Sequence, residues 1–162
     1  AVALATERRE EPPLVMFICK ANSCRSQMAH GFMDQLSAGK IVSQSSGCIS
    51  ASVVNKKAVQ VMDEIGIDLS AYGSNGLDEY DPFAKPYDAV VCLCGCKDLV
   101  PESWQSTAGE ERFFDWDVDD PPELDPGDLS VYGRVRDELK DRVANLFDDI
   151  ATRNRDGMYR AA

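Results

Sequence analysis

The sequence is short of several features that define particular classes of protein. Histidine occurs once, at position 30, and no apolar run approaches the roughly 18 residues that a membrane span requires. Basic residues are also scarce, since 17 Lys and Arg stand against 28 Asp and Glu and give a formal net charge of −11. These deficits predict a soluble protein that binds neither nucleic acid nor a membrane, because both are bound through excess Lys and Arg.

The six cysteines are too few to make a chain of 162 residues a disulfide scaffold. Three of them crowd into the segment Cys92-Leu-Cys94-Gly-Cys96. A structural zinc site would need a second ligand cluster. The single histidine, His30, is far in sequence from the three clustered cysteines and lies inside a helical pattern. The cysteines are therefore expected to be reduced, reactive thiols, and neither a bound metal nor a bound cofactor is expected.

The length and a hydrophobic content of 44% predict one domain with a substantial core. We expect a single catalytic domain over residues 14–152, with an N-terminal tail at 1–13 and a C-terminal tail at 153–162. The N-terminal tail is polar and lacks an apolar stretch of signal-peptide length. It is interpreted as a flexible extension, an artificial remnant or the stub of a cleaved organelle peptide.

Four short apolar runs predict β-strands, at Leu14–Cys19 and at residues 41–45, 87–94 and 112–116. Apolar residues at helical spacing lie between and after them: Met28, Ala29, Phe32, Met33 and Leu36; Ala58, Val59, Val61, Met62 and Ile65; Val131, Val135, Leu139, Val143, Leu146 and Ile150. The acidic, proline-rich residues 115–128 are predicted to form a surface loop. This alternation predicts a doubly wound α/β fold, a four-stranded parallel sheet with helices on both faces, whose ligands bind at the carboxyl ends of the strands.

The segment after the first predicted strand has the composition of an oxyanion-binding loop. Its candidate binding residues are Lys20, Ala21, Asn22, Ser23, Cys24, Arg25 and Ser26. Because the loop opens a helix, its backbone N–H groups can converge on a tetrahedral oxyanion. The helix N-terminus and Arg25 should favour the thiolate of Cys19, the candidate nucleophile. The planar guanidinium of Arg25 matches two oxygens of the anion, Ser26 can donate a hydrogen bond to the sulfur, and Asn22 tolerates the left-handed backbone of a turn.

This stretch resembles the low-molecular-weight tyrosine phosphatase superfamily through its Cys-x-x-Asn-x-Cys-Arg-Ser core. The continuation Arg25-Ser-Gln-Met-Ala29 resembles the arsenate reductase branch, because phosphatases usually have proline where this chain has Gln27. His30 stands where the branch would have glutamate, and we interpret it as a tolerated change on the helix surface. The resemblance spans roughly residues 14–150 and implies the fold predicted above.

The resemblance also implies a general acid. A thiolate that attacks a phosphate ester needs an acid that protonates the departing oxygen. The superfamily carries this acid in an Asp-Pro pair on a mobile loop, and Asp120-Pro121 is the matching position. Two further pairs, Asp81-Pro82 and Asp125-Pro126, show that the dipeptide alone is typical of ordinary turns.

A second thiol distinguishes reduction from hydrolysis, because reducing As(V) to As(III) takes two electrons, which two thiols supply as they form a disulfide. The segment from Leu93 to Trp104 resembles cyanobacterial-type arsenate reductases linked to glutathione and glutaredoxin. The resemblance implies that Cys94 and Cys96 are relay thiols, with glutathione as co-substrate and glutaredoxin as partner. The thioredoxin-linked branch places a resolving cysteine further on, and this chain has none after Cys96.

The remaining cysteines and the tryptophans are interpreted as structural. Cys48 is expected to be a small, inert buried residue, and Cys92 to belong to the core. Cys24 has a counterpart in ordinary phosphatases and is uninformative about reduction. Trp104 and Trp116 are either walls of the binding pocket or packing residues, packing being the commoner role.

The predicted function is reduction of arsenate to arsenite in arsenic detoxification, with phosphate or sulfate as mimics of the substrate. One alternative is a low-molecular-weight tyrosine phosphatase with incidental cysteines. Another is a redox-sensing, oxyanion-binding module in which Cys19 is oxidised without turnover. The expected location is the cytoplasm, or an organelle such as a plastid if the N-terminus is a processed transit peptide.

Overall fold

The structure is a computed structural model that describes residues 11–155, without the side chains of residues 154 and 155. Most of the two predicted tails, residues 1–13 and 153–162, lies outside this range. Within the described range, no helix is both long and apolar enough to cross a lipid bilayer.

Four parallel strands form one sheet in the order β2-β1-β3-β4. They are β1 (Leu14–Cys19), β2 (Val42–Gly47), β3 (Ala89–Cys92) and β4 (Phe113–Asp115). The predicted four-stranded parallel sheet is therefore confirmed. β3 ends two residues before the predicted strand did, and the chain turns at Gly95, whose positive φ of 62° suits glycine.

Between residues 11 and 155, five α-helices connect or follow the strands: α1 (Arg25–Ser37), α2 (Lys56–Asp63), α3 (Glu102–Ala108), α4 (Pro121–Leu124) and α5 (Leu129–Arg155). α1, α2 and α5 pack together over one face of the sheet, and α3 packs on the other face. The predicted arrangement with helices on both faces is confirmed.

Two helices escaped prediction because they are short. α3 has seven residues, and α4, inside the stretch predicted as a loop, has four, which is too few for an apolar period to repeat. The predicted apolar faces also changed at their ends. Leu36 and Ile65 are exposed, and Tyr132 is buried at the start of α5 where Val131 was expected.

Alternate residues of β1 face opposite layers of the core, as a pleated strand requires. Val15 and Phe17 contact the layer of α1 and α5, whereas Met16 and Ile18 contact the layer of α3. The register pairs Cys19 with Gly47 and Ile18 with Cys92. The residues that follow these positions therefore emerge together at the carboxyl-terminal edge of the sheet.

Candidate active site

The loop between β1 and α1 is held by its own carbonyl groups. Each carbonyl oxygen from Cys19 to Ser23 accepts a hydrogen bond from the surrounding structure. In chain order, the donors to the five carbonyls are the N–H of Cys48, the N–H groups of both Ile49 and Ser50, the hydroxyl of Ser74, the side-chain amide of Gln27 and the N–H of Asn55. In a planar trans peptide the N–H points opposite to the C=O. Because the carbonyls point outward, the intervening N–H groups point toward the centre of the loop, where an oxyanion would bind.

Asn22 fixes the turn in this loop, as predicted, with a φ of 51°. Its side chain is buried and bridges two parts of the site. The amide nitrogen donates to the hydroxyl of Ser26 at 2.8 Å, and the amide oxygen accepts from the N–H of Asn75 at 2.8 Å. The side chain of Asn22 therefore also links the loop to the segment around Asn75, which precedes β3.

Replacing Asn22 with glycine separates these two roles. Glycine keeps the positive φ at no steric cost but removes both side-chain hydrogen bonds. We expect the free energy of unfolding to fall by roughly 1–3 kcal/mol, because buried partners are left unsatisfied. Urea denaturation followed by circular dichroism measures this loss, and a stability equal to wild type would contradict a bracing role.

The thiol of Cys19 lies at the end of β1 and is 3% exposed. Its Sγ is 2.9 Å from the Oγ of Ser26. Because Asn22 already donates to that oxygen, the hydroxyl hydrogen of Ser26 is free to point at the sulfur. The sulfur of Cys19 therefore has a hydrogen-bond donor beside it at the mouth of the loop.

Arg25 is 5% exposed and reaches across the loop at the first position of α1. One terminal nitrogen donates to the carbonyl of Val118 at 2.9 Å, and the other is 3.5 Å from a carboxylate oxygen of Asp120. The buried Nε makes no hydrogen bond to any described residue. An unsatisfied buried donor of a charged group costs stability, and a bound oxyanion would satisfy it.

Asp120 follows β4, immediately before α4, with its side chain 19% exposed. Burial raises the pKa of this carboxyl group, and the nearby Arg25 opposes the rise. The carboxyl group can therefore hold a proton beside the anion site. Lys20, in the loop, lies 3.5 Å from Glu123 of α4 in an exposed ion pair that joins the loop to this helix.

The cysteines of the Cys92–Cys96 segment differ from the expected arrangement. Cys92 is fully buried in the core, as predicted, and its sulfur is in addition bonded to that of Cys96. The N–H of Cys96 also donates to the sulfur of Cys92 at 2.9 Å. Cys94, expected to pair with Cys96, is a free, half-buried thiol.

Cys48, expected to be an inert buried residue, lies beside Cys94 at the same edge. The sulfurs of Cys48, Cys94 and Cys96 all lie within 4.8 Å of one another. Such a trio could ligate a thiophilic ion only after the bond between Cys92 and Cys96 is reduced. One feature of the sequence could have indicated this position. Cys48 comes soon after the second predicted strand, and the ends of parallel strands meet at one edge of the sheet.

The structure also places His30, Trp104 and Trp116, whose positions the sequence left open or predicted differently. His30 is not on the helix surface. Its side chain is 19% exposed and lies 2.9 Å from the Oγ of Ser45, and burial lowers its pKa. Trp104 is a packing residue, buried against Tyr87, and Trp116 lies under the guanidinium of Arg142.

Cys24, in the loop, and Gln27, in the first turn of α1, are both buried. Burial raises the pKa of Cys24, which therefore remains a protonated thiol. Gln27, at the position that separates reductases from phosphatases in the resemblance, is buried and donates to the carbonyls of Asn22 and Gly73. Its amide is thus part of the scaffold of the loop.

Comparison with known proteins agrees with this geometry. A glutaredoxin arsenate reductase from Synechocystis sp. is 43% identical over 137 residues, which cover 85% of this chain and 98% of that protein. An arsenate reductase from Halalkalibacterium halodurans is 37% identical over 134 residues, covering 80% and 91% of the two chains. The solved structure of an arsenate reductase in the phosphate binding state superposes with a TM-score of 0.74 at 41% identity, covering 85% of this chain and 98% of that one.

The match to a family extends over almost the whole chain. Residues 14–156 match the low molecular weight phosphotyrosine protein phosphatase family. The loop that begins at Cys19, with Arg25, and the Asp120-Pro121 pair all lie inside this range. The chain therefore belongs to the low molecular weight phosphotyrosine protein phosphatase family.

Proposed function

We propose that this protein is an arsenate reductase that draws its electrons from cysteine thiols and, through them, from glutathione and glutaredoxin. The observation that carries the proposal is the position of Cys94, a free thiol on the same sheet edge as the Cys19 loop. Hydrolysis of a phosphate ester needs only the loop and an acid, whereas reduction needs the second sulfur. The two arsenate reductases that resemble this chain over most of their length support the assignment.

In the first step arsenate occupies the loop and the Cys19 thiolate attacks arsenic. Arg25 and the inward N–H groups bind the remaining oxygens. Asp120 gives its proton to the oxygen that departs as water, which leaves a Cys19–arsenic(V) adduct. Arsenic is not yet reduced at this point.

In the second step the sulfur of Cys94 attacks the sulfur of Cys19. A disulfide forms between Cys19 and Cys94, and the arsenic–sulfur bond breaks with its electron pair remaining on arsenic. Arsenic is thereby reduced from As(V) to As(III) and leaves as arsenite. The two thiols have supplied the two electrons.

The disulfide then passes to further thiols and finally to glutathione. Cys96 is one acceptor, because its attack on Cys94 frees Cys19 for another turnover. Attack by Cys92 on Cys96 then yields the Cys92–Cys96 pair and frees Cys94. Glutathione and glutaredoxin are the source of electrons for the relay and enter it at the half-buried Cys94, in line with the name of the Synechocystis relative.

The proposal is tested by following arsenate-dependent oxidation of NADPH in the presence of glutathione, glutaredoxin and glutathione reductase. We expect continuous turnover. Thioredoxin with its reductase is expected to support much slower turnover, because the chain has no cysteine after Cys96. Hydrolysis of aryl phosphate without any arsenate-dependent oxidation would instead identify a phosphatase.

Asp120 can be tested through the side hydrolysis of aryl phosphates. Replacement by asparagine should slow hydrolysis by about 10²–10⁴-fold, because the amide cannot protonate the leaving oxygen. Since burial raises the pKa of Asp120, the wild-type rate should fall as the pH rises through that pKa and the acid form is lost. The variant should lack this decline in its pH profile.

Asp119 is the matched control for this prediction. It is exposed and pairs with Arg134 at 3.2 Å, away from Arg25. Asp119→Asn should retain hydrolysis within a few-fold of wild type. An equal loss for leaving groups of high and low acidity in Asp120→Asn would argue against the acid role, since good leaving groups need little protonation.

A further inference from the structure

With Cys92 and Cys96 bonded to each other, Cys48 is a free sulfur outside the Cys19 loop that lies close to Cys94. Cys92 is 0% and Cys96 is 1% exposed, so a glutathione thiol does not reach either sulfur directly. While this pair is closed, Cys96 cannot attack a disulfide at Cys94. Cys48 is free and lies within 4.8 Å of Cys94, sulfur to sulfur.

The backbone places Cys48 at the nucleophile loop. The N–H of Cys48 donates to the carbonyl of Cys19 at 2.8 Å, so β2 delivers this residue to the end of β1. Gly47, which precedes it, has no room for a side chain, because a Cβ there would lie 2.0 Å from the carbonyl oxygen of Ser50 and 2.9 Å from that of Lys20. The position of Cys48 beside the loop is thus set by close backbone packing.

The two free thiols also differ in protonation. The thiol of Cys94 donates a hydrogen bond to the sulfur of Cys48, which lowers the pKa of Cys48 to about 7. The same hydrogen bond, together with burial, raises the pKa of Cys94. Cys48 is therefore the more readily deprotonated of the two thiols, and the thiolate is the form that attacks disulfides.

We propose that Cys48 is a further catalytic thiol, which resolves the Cys19–Cys94 disulfide while Cys96 is bonded to Cys92. The proposal rests on the proposed arsenate reductase function. The Cys48 thiolate attacks the sulfur of Cys94, a Cys48–Cys94 disulfide forms, and Cys19 leaves as a thiolate ready for the next arsenate. The exchange moves the disulfide without net oxidation or reduction.

The new disulfide is open to the external reductant. Both sulfurs belong to half-buried residues at the sheet edge, in contrast to the enclosed Cys92–Cys96 pair. A glutathione thiolate attacks Cys48, forming a mixed disulfide and releasing the Cys94 thiol. A second glutathione, with glutaredoxin, attacks the mixed disulfide, so that oxidised glutathione leaves and Cys48 returns to the thiol.

The test compares wild type, Cys48→Ser and Ile49→Ser after mild reduction that leaves the Cys92–Cys96 pair closed. Ile49 is the adjacent residue, and its side chain is 62% exposed, so Ile49→Ser controls for a change in the same segment. We expect arsenate-dependent NADPH oxidation to fall at least about tenfold in Cys48→Ser and to stay near wild type in Ile49→Ser, because only Cys48 offers a sulfur. Alkylation and mass spectrometry after one arsenate addition should find Cys48–Cys94 in wild type and Cys19–Cys94 in Cys48→Ser.

The first turnover separates this proposal from the proposed function. Cys48→Ser should still release about one equivalent of arsenite per chain, since formation of the Cys19–Cys94 disulfide does not use Cys48. Sustained turnover of Cys48→Ser at the wild-type rate, or a Cys94–Cys96 disulfide as the trapped wild-type product, would overturn the role of Cys48 and leave the reductase intact. Absence of arsenite from wild type itself would instead refute the proposed function.

Discussion

Cys19→Ser and Arg25→Ala are each expected to abolish both arsenate reduction and aryl phosphate hydrolysis. The first removes the nucleophilic sulfur that both reactions share. The second removes the charge that binds the oxyanion, a loss of at least about 10²–10³-fold where a single donor to developing charge is deleted. Because lysine lacks the planar fork, Arg25→Lys should recover only a small part of the activity.

These losses are measured with the coupled NADPH assay and with an aryl phosphate. Arg134→Ala is the matched control, because Arg134 is exposed and pairs with Asp119 outside the loop. Its activity should stay within a few-fold of wild type. Far-UV circular dichroism should remain native in all the variants, and near-normal turnover of either substrate by Cys19→Ser would show that the nucleophile lies elsewhere.

The second large effect concerns Cys94, whose replacement by serine should separate the two reactions. Arsenate reduction should be lost, because serine at position 94 offers no sulfur to attack the Cys19–arsenic adduct. Hydrolysis of aryl phosphate should persist within a few-fold of wild type, since it ends with water attacking the Cys19 adduct. Single-turnover measurement of arsenite release provides the most direct readout.

Single-turnover measurement also detects attack on the Cys19–arsenic adduct by a thiol other than Cys94. Release of a full equivalent of arsenite by Cys94→Ser at the wild-type rate would mean that another thiol, glutathione or Cys48, attacks the Cys19 adduct in its place. Loss of hydrolysis together with reduction would mean that the substitution disturbs the oxyanion loop. We expect loss of reduction with hydrolysis retained. Cys94 follows β3, and within the described residues it makes no hydrogen bond to the loop that begins at Cys19.

The helices and strands in which apolar residues recur over many positions were predictable, because residues that recur on one face of a helix or strand are buried together. Strand β1 and helix α5, which has 27 residues and an apolar period that continues to Ile150, are examples. α3 and α4 were missed because seven and four residues hold at most two turns. The place of His30 was also missed, since its burial depends on packing of α1 against β2 and not on its neighbours in sequence.

The sequence by itself determined the oxyanion loop, because its parts are contiguous. A strand, a turn that Asn22 can adopt and a helix opening with Arg25 follow one another, so local geometry is enough to bring the nucleophile, the inward N–H groups and the cationic side chain together. The same holds for the parallel sheet, whose strands alternate with helices along the chain.

Only the tertiary structure decided which sulfurs meet. Cys48 and Cys94 are far apart in sequence and become neighbours because β2 and β3 flank β1 on opposite sides and end at the same edge. The pairing of Cys96 with Cys92 depends on the turn at Gly95, which sends the chain back toward the end of β3. Contacts of this kind follow from strand order and register, which are set by packing of the whole sheet and not by any local pattern of residues.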